Sequence, residues 1–283
     1  MTSMSYHSIP KKIRHKFNSL FFKKWPIKNN KIDPEPHFIF LLTPPNSGST
    51  AIARVFNTSQ KVGLLKENGE GQWLIRGLYE NRWNGKKVIN KDSIKSVWED
   101  KYYKLKKYNP KIEFIFEKSP PNIIRIRELC NLFPNNTLLA NNRDPYANIS
   151  SIFFGYQSKK QISNLKVHER EKKIHEITLE WIYRSEIIKD EVIKNNIPLI
   201  TYEQFCNNPT ILNTLLSNIP ATSSIALNYD GKIKVKKYGF KMITNFNEQQ
   251  ISNLDKSDIS IISNTLEENH DILSFFGYKP FNQ

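Results

Sequence analysis

The chain has few cysteines: two in 283 residues, Cys130 and Cys206. Two thiols by themselves build neither a metal site nor a disulfide scaffold, and their scarcity fits a reducing compartment. Long apolar runs are missing too. None approaches the length of a membrane span and none near residue 1 resembles a signal peptide, so a cytoplasmic protein is expected. The six histidines, at 7, 15, 37, 168, 175 and 270, match no metal-ligand spacing, and no metal is expected. Internal repeats and low-complexity tracts are absent. Acidic residues are also scarce: 27 Asp and Glu stand against 42 Lys and Arg, a net charge of +15. That excess points to polyanionic ligands such as nucleotides, nucleic acid or an anionic membrane surface, and carries no information about fold. Hydrophobic content of 39% and aromatic content of 12% are those of a globular chain, long enough to bury one sizeable core.

What is present begins with a basic arm. Residues 1–36 carry eight Lys or Arg against Asp33 and Glu35, and prolines 26, 34 and 36 close the segment. Ile9, Ile13, Phe17, Leu20, Phe21 and Trp25 recur at helical spacing, so 9–25 reads as a basic amphipathic helix. It could touch a membrane peripherally, pack on the domain, or remain a loose arm. One α/β domain is expected over 37–283.

That domain opens on a short buried strand (38–42), a tight turn containing Pro44, Pro45 and Gly48, and a helix. A glycine followed by Ser49 and Thr50 at a helix start leaves backbone N–H groups unpaired and adds the positive end of the helix dipole. Gly48 lets backbone approach an anion closely, and the hydroxyls of Ser47, Ser49 and Thr50 can donate to it. A Walker loop is excluded, since the position of its lysine holds Ser49.

Val62–Leu65 follows, and then Glu67 to Trp73, where two glycines around Glu70 suggest an exposed turn with a helix after it. Residues 91–108 read as a lysine-rich helix with tyrosines 102, 103 and 108 interleaved, better explained as a solvated face than as a nucleic-acid patch. Further strands are expected at 112–116, 137–141 and 197–202, with helices after each, a long one over 168–195 and a last one over 247–269. A loop is expected at 230–239. Alternating strands and helices argue a parallel β-sheet flanked by helices, and in such sheets ligands sit beyond the carboxyl ends of the strands. Asn46–Thr50, Lys118, Arg143 and Tyr202 then share one rim.

Together these segments resemble the sulfotransferase family, which uses 3′-phosphoadenylyl sulfate (PAPS). Pro45-Asn46-Ser47-Gly48-Ser49-Thr50 is similar to the family's P-[KR]-S-G-T-T turn. Arg143 with Ser151 eight residues on resembles its second motif. Glu117-Lys118-Ser119-Pro120-Pro121-Asn122, running to Leu132-Phe133-Pro134, resembles the D-K-T-P-R-N…L-F-P stretch of the protein-tyrosine-sulfotransferase-like branch. Tyr202-Glu203 with Pro209, and Phe276-Gly277-Tyr278, resemble two more of its elements.

The resemblance implies a P-loop NTPase-like sulfotransferase fold with PAPS as co-substrate and no metal. It makes Pro45, Asn46, Ser47, Gly48, Ser49 and Thr50 the seat of the 5′-phosphosulfate, with Arg143 and Ser151 on the 3′-phosphate. Tyr202 would line the nucleotide pocket, and Lys236 or Lys237 would cover it. Lys118 would donate to the bridging or sulfuryl oxygens, and Glu70, with Glu67 as competitor, would be the general base toward a hydroxyl or amine of a saccharide, peptide or small metabolite. Asn46 departs from the pattern, because the family carries Lys or Arg there. A non-catalytic relative that binds PAPS or polyanions, and a P-loop-like kinase or hydrolase, are the alternatives. No specific nucleic acid is expected as partner.

Overall fold

The computed structural model describes residues 34–78, 83, 91–155, 161–162, 164–229, 231–234 and 240–281. The 9–25 stretch, Lys236 and Lys237 lie outside them. Everything below concerns the compact unit 36–283.

Strand β1 (His37–Leu42) is apolar at all but its first position. A strand this continuous must be covered on both faces. Its side chains alternate: Phe38, Phe40 and Leu42 enter one core, Ile39 and Leu41 the other. Helix α1 (Ser49–Phe56) leaves the turn after β1 and packs in the second core. β2 (Val62–Leu64) is a strand that the sequence reading did not expect, because three residues around Gly63 are too short to show a period. After it, Gly71–Leu74 makes a single 3-10 turn in place of the expected helix.

Helix α2 (Lys91–Tyr108) buries Ile94, Trp98 and Tyr102 and turns its lysines outward. Trp98 stacks on Phe133 with ring centroids 5.6 Å apart, and Phe133 lies 4.1 Å from Phe38. β3 (Phe114–Glu117) passes through a 3-10 segment, Pro120–Arg125, into α3 (Ile126–Leu132). β4 (Asn136–Asn142), α4 (Pro145–Gly155), the long α5 (Val167–Asn195) and β5 (Leu199–Thr201) follow. The helix expected after the strand at 197–202 is two, α6 (Tyr202–Asn207) and α7 (Ile211–Ser217), because Pro209 cannot supply the N–H a continuous helix needs. The expected loop at 230–239 contains the start of a hairpin, β6 (Lys232–Lys234) with β7 (Phe240–Met242). Likewise the helix expected over 247–269 divides into α8 (Asn247–Ile251), α9 (Lys256–Leu266) and a 3-10 turn (Glu267–Asn269), and α10 (His270–Phe276) follows beyond it. Asp255 starts α9 anew by accepting the Asp258 N–H at 2.9 Å.

The five-stranded sheet has the order β2-β3-β1-β4-β5, and every pairing in it is parallel. After β1 the chain goes out to β2 and β3 on one side, then crosses to β4 and β5 on the other. All strand ends therefore face one rim, and the direction of travel reverses around β1, where an open α/β sheet forms its crevice. No described helix is long and apolar enough to cross a membrane.

Candidate active site

A cleft of about 910 Å³ opens on that rim, walled by Pro45, Asn46 and Gly48–Ala51 on one side and by Glu70, Gln72, Trp73 and Lys118 on another. The first wall is the turn into α1. Gly48 is the N-cap in the left-handed region, φ 77°, and no side chain caps the helix. The first amides of α1 thus have no side-chain acceptor, although the Ala51 N–H bonds the Gly48 carbonyl at 2.8 Å. A Cβ at position 48 would stand 2.4 Å from the Tyr202 ring, so only glycine fits both the angle and the space.

The turn is held from behind by amide side chains. Asn141 donates to Thr43 Oγ1 at 2.9 Å and to the Ser47 carbonyl at 2.8 Å. Asn148 donates to the Pro45 carbonyl at 2.8 Å and to Ser47 Oγ at 3.1 Å. Asn46, at φ 58°, donates to the Ser151 carbonyl at 3.0 Å. These contacts show where two of the expected residues stand. The Ser47 hydroxyl is buried against Asn148 and faces away from the cleft. Ser151 meets the turn through its carbonyl, which accepts from Asn46.

Arg143 reaches the same turn, donating from Nη1 to the Asn46 carbonyl at 2.7 Å and from Nε to Asn247 at 2.9 Å. Its guanidinium lies 4.3 Å from the centroid of the Tyr202 ring, which lines the cleft. Nη2 is buried without a hydrogen-bond partner. Burial pulls Arg143 below the usual guanidinium value, against Tyr202, Glu203 and Asp144, which push the other way. Arg143 and Gly48 therefore stand at the same turn, each against the Tyr202 ring. The arginine, however, is a buried floor under Tyr202 rather than an open clamp. Tyr202 is fixed by its hydroxyl, which donates to the Thr244 carbonyl at 3.1 Å and accepts the Phe246 N–H at 3.1 Å. Burial pushes its phenol up to about 12.

The second wall is charged. Lys118, 2% exposed at the end of β3, donates to Thr50 Oγ1 at 3.0 Å and to Glu70 Oε1 at 2.8 Å. The other Glu70 oxygen accepts from Trp73 Nε1 at 2.7 Å and Gln72 Nε2 at 3.1 Å. Burial pushes the Glu70 carboxyl up, but Lys118 and these hydrogen bonds outweigh it and hold Glu70 below the ordinary carboxylate value. The turn that carries it is not exposed, as the sequence suggested: Gly69 and Gly71 are buried. Glu67 stands apart, 93% exposed beside Arg54 at 3.7 Å, outside the cleft. Of the two competing carboxylates, Glu70 is the one at the cleft.

Several neighbours of the cleft were not singled out in the sequence. Asn141 and Asn148 could have been, since polar residues ending an apolar strand and facing inward from a helix need partners. Trp73 is 46% exposed beside Glu70. Trp83 carries Arg184 at 4.2 Å over its ring on the far side of the cleft, and Arg184 bonds Glu180 at 2.6 Å; no spacing announced that trio. Glu203 links three segments by accepting from the Asp144 N–H at 3.0 Å, Asn247 at 2.6 Å and the Tyr278 hydroxyl at 3.2 Å. Two of the resembling elements, Tyr202-Glu203 and Phe276-Gly277-Tyr278, are thus in contact. Among the described residues no group of three or more His, Cys, Asp or Glu could hold a metal ion.

No protein-family model matches the chain, and no curated protein does. Solved structures do. Sulfotransferase STF9 from Mycobacterium avium superposes with a TM-score of 0.54 at 11% identity, over 89% of this chain and 79% of that one. A sulfotransferase from Alicyclobacillus acidocaldarius gives 0.54 at 10% identity, over 87% of this chain and 98% of the other. At such identities the likeness is one of fold: the chain has the sulfotransferase fold, a P-loop-like α/β architecture.

Proposed function

We propose, with that fold as premise, that the chain transfers a sulfuryl group from PAPS to a hydroxyl or amine of an acceptor. The observation that carries the reading is the meeting of Lys118, Thr50 and Glu70 at the start of α1, with Nζ to Oγ1 at 3.0 Å and Nζ to Oε1 at 2.8 Å. An anion seat, a buried cation and an ionised carboxylate at one cleft are the parts that in-line transfer to a neutral nucleophile needs.

The turn amides and the hydroxyls of Ser49 and Thr50 would bind the phosphosulfate end of the donor. Arg143, Tyr202 and Asn46 would shape the nucleotide side. Glu70 would take the proton as the acceptor oxygen bonds to sulfur. The bond from sulfur to the bridging oxygen breaks, its electron pair passes to the leaving phosphate, and Lys118 would neutralise the charge that builds there. Depression of the Glu70 carboxyl keeps it ionised at neutral pH. Free Cys130 and Cys206 fit a reducing, cytoplasmic setting.

The test is transfer of labelled sulfate from PAPS to a panel of saccharide, peptide and small-molecule acceptors, beside thermal shifts with PAP, with ATP and magnesium, and with a short oligonucleotide. Stabilisation by PAP above the other two, weakened in Arg143→Lys, which keeps charge and loses the planar fork, is expected. Stabilisation by ATP alone would overturn the reading. Asn46 supports a second reading, because its side chain is spent on the Ser151 carbonyl and brings no charge. A chain that binds PAP tightly yet transfers to no acceptor would favour this non-catalytic reading.

A further inference from the structure

Glu70 and Lys118 lie 48 positions apart in the chain, and their contact needs both parent segments fixed. One buried carboxyl touches both. Glu117 is fully buried at the end of β3. Its Oε1 accepts the N–H of Gly71, the residue after Glu70, at 2.7 Å. Its Oε2 accepts the N–H of Ser119, the residue after Lys118, at 2.9 Å. The Ser119 hydroxyl and the Asn122 amide donate to the same carboxylate. Two parallel bonds extend the strap: Lys118 N–H to the Gly69 carbonyl at 2.9 Å, and Gln72 N–H to Ser119 Oγ at 3.3 Å. From the core side, Trp98 Nε1 donates to the Gly71 carbonyl at 3.2 Å. A Cβ on residue 71 would stand 2.4 Å from Leu65 Cδ1, so the strapped turn is also closely walled.

We propose that Glu117 is a positioning residue: its carboxylate clamps the turn bearing Glu70 to the strand end bearing Lys118, so that base and cation meet at the cleft. Its catalytic meaning rests on the sulfuryl-transfer reading, whereas the clamp itself does not.

Stability alone is a poor reason for a carboxylate here, since burying a charge costs desolvation. Burial pushes Glu117 up to about 7, against the bonds from Ser119 and Gly71, with the Glu70 charge adding to the rise. The charged groups that act with it are Glu70 on the clamped turn and Arg125 in the following 3-10 segment, which senses the Glu117 charge, while Lys118 is the next residue along the chain. The groups that bond the carboxylate all act as donors, so protonation removes an acceptor and loosens the clamp. Glu70 is held below the ordinary range. An acid limb near neutrality in the rate therefore belongs to Glu117 and not to the base.

The experiment compares the full chain with Glu117→Gln at matched folding by circular dichroism. Two readouts need no acceptor. Amide hydrogen exchange at 69–72 is expected to speed up by about tenfold or more while α1 is unchanged, and the Glu70 carboxyl, followed by carbon-13 NMR, is expected to titrate higher. With an acceptor in hand, kcat is expected to fall about tenfold or more at little change in the KM for PAPS, and the acid limb near neutrality to vanish. Unchanged exchange and an unchanged Glu70 titration would overturn the proposal, as would a wild-type limb that persists in the variant. Should Glu117→Gln not fold, Asn122→Ala, which strips one donor from the carboxylate, is expected to move the wild-type limb to higher pH. A stationary limb in that variant overturns it equally. Loosened exchange in a protein that transfers nothing from PAPS would defeat the transfer reading and leave the clamp standing.

Discussion

The two walls of the cleft are built on different principles. The wall at 45–50 is local in sequence and buttressed mainly by uncharged amides, with Asn141 and Asn148 gripping Thr43, Pro45 and Ser47 and the guanidinium of Arg143 holding the Asn46 carbonyl. The wall at Glu70 and Lys118 is non-local and charged, and its two halves are joined through the buried carboxyl of Glu117. A binding surface that must keep one shape is served by amides, whose bonding does not change with pH. A reacting surface needs ionised groups close together, and those are costly to bury and sensitive to protons.

The contrast breaks most sharply at Lys118. Lys118→Ala removes the cation and leaves Glu70 without its ion-pair partner, and transfer is expected to fall by about 10²–10³-fold in steady-state assays while PAP affinity changes far less. Glu70→Gln is expected to act in the same direction. An equal loss of PAP binding would erase the distinction between the walls.

Next in size is the response to pH. Burial raises Glu117 from 4.5 to about 7 in the folded state, so the contribution of that group to stability is full below 4.5 and is lost as pH rises through about 7. Glu70, held low, has the opposite sign: its contribution is present above 4.5 and is lost as pH falls through its depressed value. The stability of the wild type relative to Glu117→Gln, from urea melts, should therefore fall by about 2–3 kcal/mol between pH 5 and pH 8. The Glu117→Gln variant is expected to lack this component.

The smallest effects are those on the amide-held wall. Asn148→Ala deletes two buttressing bonds and is expected to cost about 2 kcal/mol in a denaturant melt and to weaken PAP binding, equally at pH 6 and pH 8. Gly48→Ala meets both the positive φ and the Tyr202 ring, and about 1–2 kcal/mol with weaker PAP binding is expected from calorimetry. A pH-dependent loss in either variant would show that this wall, too, is electrostatic.

Taken by itself, the sequence determined the alternation of strands and helices, the parallel sheet, the glycine-bearing turn and the shared rim of Lys118, Arg143 and Tyr202. Each of these follows from local patterns: buried runs, helix starts and strand ends. Only the tertiary structure set Glu70 and Glu67 apart in space, by placing one carboxylate against Lys118 and exposing the other beside Arg54. It alone turned Ser47 inward, made Arg143 a floor beneath Tyr202, revealed β2, and brought Glu117 across to Gly71. Spacing along the chain reports what a residue's neighbours four or five places away are doing. A hydrogen bond between residues 46 places apart depends on where a crossover returns the chain, and no local pattern carries that distance.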